Sequence, residues 1–209
     1  MKIYTIRHAE SVGNAQGAYS TKESDDLSPK GVLQAEGLSD GLDGLSFDHI
    51  FVSPTDRTLL TIAPYLKKKG KVAEVWPDLS EGCWHEEREP ASETWKTVPA
   101  SLNSELEPLF SFRNGEKVKP GFPQTFGDGY ARVQKVAREL RRMGEGSGTT
   151  VLLVSHAHFI REFLNEVLGQ EETQRYPQDN AGVSLLSFDG ESWSLEYDNR
   201  DPNSFSDFR

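Results

Sequence analysis

The run Thr149-Thr150-Val151-Leu152-Leu153-Val154 limits the possible folds more than any other stretch of the chain. Beyond its first two residues it offers water no polar side chain. A strand alternates its side chains between two faces, so a run this apolar needs cover on both, as a central strand of a parallel sheet receives. Residues 2–7, Phe47 to Val52 and Val72 to Val75 read as three further strands. Helical patterns fall between the strands. Ser28 is placed as an N-cap with Pro29 at the first helical position, and Val32, Ala35, Leu38 and Leu42 share one face. Thr55 opens a second helix to about Lys68, with Leu59, Ile62, Ala63 and Leu66 inward. Two more run from Phe126 to Met143 and from Phe159 to Leu168, the last closed by Gly169. Ala181 to Phe188 and Ser192 to Tyr197 are expected to pair around Asp189-Gly190. Strands alternating with helices imply an α/β fold of three layers, a mainly parallel sheet covered by helices on both faces.

A chain of 209 residues suits one such domain, expected over residues 1–199 with a polar tail at 200–209. From residue 76 to residue 123 the periodicity fails. This stretch holds three of the four tryptophans and six prolines, and it reads as a variable insertion over the C-terminal edge of the sheet. The net charge of −10 argues against nucleic-acid partners and anionic membrane surfaces, and any phosphate site must gather its cations locally. Cys83 is the only cysteine, so no intrachain disulfide or cysteine zinc cluster can form. No apolar run is long enough to span a membrane, and the N-terminus enters a strand at once, with no room for a signal peptide. A cytoplasmic protein is expected, with its oligomeric state left open.

Four positions carry the chemistry. Arg7-His8 follows the first strand, Ser155-His156 follows the central one, Arg57 lies in the first turn of a helix, and Glu81 comes just after the third strand. Open α/β sheets bind ligands at the C-terminal ends of their strands. An imidazole beside a guanidinium suits attack on phosphorus, since the arginine grips the phosphate oxygens while the ring nitrogen takes the phosphoryl group.

The chain resembles the histidine phosphatase superfamily, or phosphoglycerate mutase-like family, over nearly its whole core. The residues that carry the resemblance are Arg7-His8-Ala9-Glu10 with Asn14, Leu27-Ser28-Pro29-Lys30-Gly31 with Gln34-Ala35, Ser53-Pro54 with Arg57 and Thr61, Leu79 with Glu81, and Val154-Ser155-His156 with Ile160-Arg161. The resemblance implies that His8 is the nucleophile. Arg7, Arg57 and His156 then hold the phosphate oxygens, helped by Asn14 and the backbone N–H of Ala157. Glu81 serves as general acid and then as base. It implies no metal and no cofactor, and a small-molecule phosphate ester as substrate. The expected activity is a metal-independent phosphomonoesterase working through a phosphohistidine at His8. The alternatives are a phosphoglycerate mutase and a catalytically dead module that binds phosphorylated ligands.

Some residues depart from the pattern or compete with it. Ala9 stands where the family more commonly has glycine, and Ala157-His158 where it usually has Gly-Gly or Gly-Asn. His156 and His158 have the spacing of a metal pair, although His158 is better placed on the pocket wall. Glu86, Glu87 and Glu89 rival Glu81 but read as a solvated loop. Trp76, Trp84 and Trp95 either line the pocket or pin the insertion to the core. His85 and His49 read as surface positions, Lys67-Lys68-Lys69 as a solvated helix end, and Cys83 as unreactive.

Overall fold

A computed structural model of the chain describes residues 1–18, 21–83, 88–92, 96–100, 102, 104–121, 124–145, 148–170 and 176–202. The elements, in order, are β1 (Lys2–Arg7), α1 (Val12–Gln16), α2 (Pro29–Gly41), β2 (His49–Val52), α3 (Asp56–Lys69), β3 (Ala73–Val75), β4 (Thr97–Pro99), β5 (Phe110–Phe112), β6 (Val118–Pro120), α4 (Phe126–Gly144), β7 (Thr150–Ser155), α5 (Ala157–Leu168), β8 (Val183–Phe188) and β9 (Trp193–Arg200). Among the described residues seven strands form one sheet in the order β5-β3-β2-β7-β1-β8-β9, and β4 with β6 forms a separate ribbon. From β5 to β1 neighbouring strands run parallel, while β8 is antiparallel to both its neighbours.

The two-residue period of the strands divides the core. Tyr4, Ile6, Val52, Leu152 and Val154 face α2 and α3, where they meet Leu38, Leu59, Ile62 and Leu66. Ile3, Phe51, Val151 and Leu153 face α4 and α5, where they meet Val133, Val136, Phe159 and Phe163. The apolar run of β7 therefore lies in the middle of a mostly parallel sheet with helices on both faces. No helix among the described residues is long and apolar enough to cross a membrane.

The differences from the sequence reading have local causes. Val32 is exposed rather than inward. Gly31 makes the tight contact of α2 instead, and the next residue is turned about a quarter of the way round the helix. The polar stretch from Glu10 to Asp26 contains α1, which has no apolar stripe and is held by a capping box between Ser11 and Asn14. Within residues 76–123, Phe110-Ser111-Phe112 joins the main sheet as an edge strand beside β3, so part of this stretch extends the sheet. Strand β9 continues to Arg200, past Tyr197. The lysines at the end of α3 are tied to the end of α2, Lys68 to Asp40 at 3.0 Å and Lys69 to Asp43 at 2.6 Å.

The loop after β1 is clamped onto the start of α2. Glu10 accepts from Ser28 Oγ at 2.8 Å and from Lys30 Nζ at 2.9 Å. A Cβ at position 31 would lie 1.9 Å from the Glu10 carbonyl oxygen, so only glycine lets the helix approach this closely. Gly31→Ala is therefore expected to cost about 1–3 kcal/mol of stability by overpacking against backbone. Urea denaturation of the two proteins measures the difference.

Candidate active site

Strands β1 and β7 end in register, Arg7 opposite Ser155. The next residues, His8 and His156, therefore leave the sheet side by side. The His8 N–H donates to the Ser155 carbonyl at 2.9 Å, and the two rings meet edge to face with centroids 5.3 Å apart. On the other flank of β7, β2 ends with Val52 opposite Val154 and leads through Ser53-Pro54-Thr55 into α3. The first turn of α3 thus carries Arg57 to the histidines. Thr61, one turn on, accepts the Ala9 N–H at 2.9 Å and donates to the Arg57 carbonyl at 2.6 Å, which locks the two segments together.

Hydrogen bonds assign the protons on both rings. His8 Nδ1 lies 2.8 Å from the Ala9 carbonyl, which can only accept, so Nδ1 carries the hydrogen and Nε2 keeps its lone pair. Arg57 Nη2 lies 3.0 Å from His156 Nδ1, and a guanidinium can only donate. His156 is therefore protonated on Nε2, which donates to Ser53 Oγ at 2.8 Å. Both rings are neutral. Burial holds the His8 pKa well below 6.5, helped by Arg57 and Arg7 and opposed by the Ala9 hydrogen bond. Burial also depresses His156, followed by the charges of Arg57 and its neighbours.

Arg7, His8, Asn14, Arg57, Glu81 and Ala157 line one cavity of about 630 Å³, and His156 is fully buried beside His8. Arg7 Nη1 donates to the Gln178 carbonyl at 2.5 Å. The Asn14 Oδ1 accepts from the Ser11 N–H and from Asn180 Nδ2, which leaves its NH₂ as the end to offer a ligand. Glu81 Oε1 accepts from the Phe159 N–H in the first turn of α5 and from the Gly82 N–H, both at 3.2 Å, while Oε2 lies 3.5 Å from His158 Nδ1. His158 thus stands on the cavity wall, and no group of three metal-ligating side chains occurs among the described residues.

Other sequence candidates lie elsewhere. Trp76 is fully buried in the core, donates Nε1 to Asp78 at 3.0 Å and stacks under Arg113, so it anchors the insertion. His49 is exposed at the start of β2, and Glu89 is exposed. Burial, followed by the charge of Glu162, pushes the Cys83 thiol up to about 12, so it stays protonated at neutral pH. Trp84, His85, Glu86, Glu87 and Trp95 lie outside the described residues.

Sequence reasoning missed Asp25. It forms a close ion pair with Arg57 Nη1 through Oδ1, and its Oδ2 accepts the Asp56 N–H at 2.8 Å, at the N-terminus of α3. An acid in a polar loop carries no signal that it will meet an arginine 32 residues later.

The sequence matches the histidine phosphatase superfamily (branch 1) over residues 3–201, and the chain belongs to that superfamily and is a phosphatase. It is 28% identical over 175 residues to the adenosylcobalamin/alpha-ribazole phosphatase of Escherichia coli, covering 81% of this chain and 80% of that one. A probable phosphatase of Schizosaccharomyces pombe is 39% identical over 79 residues, so the match spans only 38% of each protein. A mutant phosphoserine phosphatase from Entamoeba histolytica, solved with phosphoserine, superposes with a TM-score of 0.66 at 21% identity, covering 96% of this chain and 97% of the other.

The two buried rings generate a test. An ordinary histidine gains its proton as the pH falls through about 6.5. With both folded values depressed, His8 and His156 are expected to stay neutral at pH 6.0, and their contribution to stability falls as the pH drops from 6.5 towards those values. Histidine ¹⁵N chemical shifts followed from pH 7.5 to 5.0 check this, and protonation of either ring at or above pH 6.0 contradicts it.

Proposed function

We propose that the chain hydrolyses phosphate monoesters of small molecules, with His8 taking the phosphoryl group. The reading rests above all on the His8 tautomer, with Nδ1 held by the Ala9 carbonyl and Nε2 left with its lone pair in a cavity shared with Arg7 and Arg57. Arg7 and Arg57 hold the phosphate oxygens, and Asn14 and the Ala157 N–H add neutral donors. Their fixed charges and dipoles meet the charge that spreads over the equatorial oxygens in the transition state.

In the first step His8 Nε2 bonds to phosphorus, the ester P–O bond breaks, and Glu81 gives its proton to the leaving oxygen. In the second, Glu81 takes a proton from water, which attacks the phosphohistidine, releases phosphate and restores neutral His8. His156 Nδ1 faces Arg57 Nη2. To donate to phosphate it must gain a proton there, which an adjacent dianion favours. No metal enters this scheme, because the arginines supply the positive charge. We place the catalytic unit at residues 1–199, with residues 76–123 forming the variable part, in a cytoplasmic protein.

The rest of the cavity wall supports a leaving group with little negative charge beyond its phosphate. Among the described residues Lys119 is its one lysine, beside Thr21, Ser80, Pro120 and His158. One cation accommodates at most one further acidic group. Phosphoserine and alpha-ribazole phosphate, named for the relatives, head the substrate panel. Wild-type protein quenched during turnover with chelator present is expected to carry an acid-labile phosphoryl group on His8, detected by mass spectrometry. His8→Ala is expected to lose that group and at least about 10³-fold in kcat. A phosphoryl group on another residue, or activity that vanishes with chelator, contradicts the reading.

Asp25 adds a second test. Its carboxylate occupies Arg57, so an incoming phosphate must displace a like charge that already sits at the helix N-terminus. Asp25→Asn removes the competing charge while keeping a side chain of the same shape. It is expected to tighten inhibition by inorganic phosphate by about fivefold, in line with a partly exposed ion pair worth about 1 kcal/mol. Weaker inhibition shows instead that Asp25 mainly orients Arg57.

A further inference from the structure

Glu81 has to hold one position against the leaving oxygen, yet it sits on a segment, residues 80–83, that belongs to no helix or strand. No ladder of backbone bonds fixes it. The segment is instead docked on α4, and the contacts converge on Arg132, a residue with no place in the sequence motifs. Its side chain is almost wholly buried, 2% exposed. Nη2 donates to the Glu81 carbonyl at 3.0 Å and reaches the Ser80 carbonyl at 3.5 Å. Nη1 donates to Gln124 Oε1 at 2.8 Å and reaches the Asp128 carbonyl at 3.3 Å. One planar group thus spans the helix and the acid segment.

The surroundings fit that function. A Cβ at Gly82 would come within 2.7 Å of Arg132 Nη2 and 2.8 Å of the Gly129 Cα, so this glycine lets the segment lie directly on the helix and the guanidinium. Cys83, next along, takes a left-handed conformation with φ 62°, which is costly for a residue with a Cβ, and its thiol reaches the Phe126 carbonyl at 3.7 Å. From the sheet side, Ser155 Oγ donates to the Leu79 carbonyl at 2.6 Å. Burying a guanidinium is expensive, and a packed apolar side chain holds a helix to a loop at lower cost. The expense is understandable if the loop's carbonyls must sit at a fixed place and angle, which a rigid fork of donors enforces and an aliphatic contact does not.

We propose that Arg132 is a positioning residue for the acid. By gripping the carbonyls of Ser80 and Glu81 it holds the Glu81 carboxyl at the distance from which it can protonate a leaving oxygen. The proposal rests on the reading of Glu81 as that acid. It makes Arg132 matter in proportion to how much a substrate needs the proton. An aryl phosphate with an acidic leaving group departs almost unaided, whereas an alkyl phosphate does not, and a misplacement of about 1 Å can cost about 10²-fold.

The test compares kcat/KM on an aryl phosphate and on an alkyl phosphate, because that ratio reports the phosphoryl-transfer step. Three variants are needed: Glu81→Gln, Arg132→Lys and Gln124→Leu. Glu81→Gln is expected to lose about 10²-fold or more on the alkyl ester and far less on the aryl ester. Arg132→Lys, with its phosphohistidine still formed, is expected to show the same selective loss, about tenfold to 10²-fold. Gln124→Leu removes the side-chain anchor of Nη1 but keeps the guanidinium, and is expected to reproduce the selectivity more weakly even if Arg132→Lys does not fold. Equal losses on both esters for the Arg132 and Gln124 variants, with Glu81→Gln selective, overturn the proposal and leave Arg132 a structural residue. An unselective Glu81→Gln overturns the role of Glu81 itself, and the proposal with it.

Discussion

The site depends on the parallel pairing of β1 with β7. Register places Arg7 opposite Ser155, and both strands stop there, so the following residues emerge as neighbours. A slip of one residue in that pairing would turn one histidine into the sheet and bury the wrong set of apolar side chains on both faces. The core enforces the register. Ile3 and Leu153 must reach one helical layer while Ile6 and Val154 reach the other. Hydrophobic packing of the sheet and placement of the two histidines are therefore one constraint.

Much of this was legible in the sequence because the strongest signals coincide. The apolar run of β7 fixes a central strand, and His156 follows at its end. The run before Arg7-His8 does the same for β1. The Ser28-Pro29 helix start and the inward face of α3 were readable for the usual reasons of capping and period. The residues that hold Arg57 and the Glu81 segment in place were harder to see. Asp25 and Arg132 meet their partners across 32 and 51 residues, through loops with no periodicity. A buried arginine looks the same in a sequence as a solvated one. In α4 it lies among Lys135, Arg138, Arg141 and Arg142, all of which read as a basic surface. The short helix α1 was hidden for a related reason. It is held by two reciprocal polar bonds rather than by an apolar stripe, and hydrophobic periodicity does not report such bonds.

Electrostatics explains why the two histidines are buried. The chain carries a net charge of −10, so its surface repels phosphate. Within the cavity two guanidiniums lie beside two imidazoles, and that arrangement would be self-defeating if the rings were also charged. Burial keeps both neutral, and the arginines reinforce the effect. For His8 neutrality leaves Nε2 with a lone pair, which a protonated ring could not offer. For His156 it means that Nδ1 can accept from Arg57.

Several polar groups of the site have partners within the protein. Arg57 is shared between Asp25 and His156, and Glu81 is met by two backbone amides with His158 nearby. A phosphate drawn to Arg57 would compete with these partners. That lowers its affinity by the strength of the contacts it breaks, and the same contacts re-form to expel the product. A phosphatase releases inorganic phosphate at the end of every turnover, and a cavity whose cations were held ready with no internal partner would retain it. The ion pair between Asp25 and Arg57 fits this requirement. It is strong enough to keep the guanidinium beside the histidines, and exposed enough that an incoming dianion can take its place.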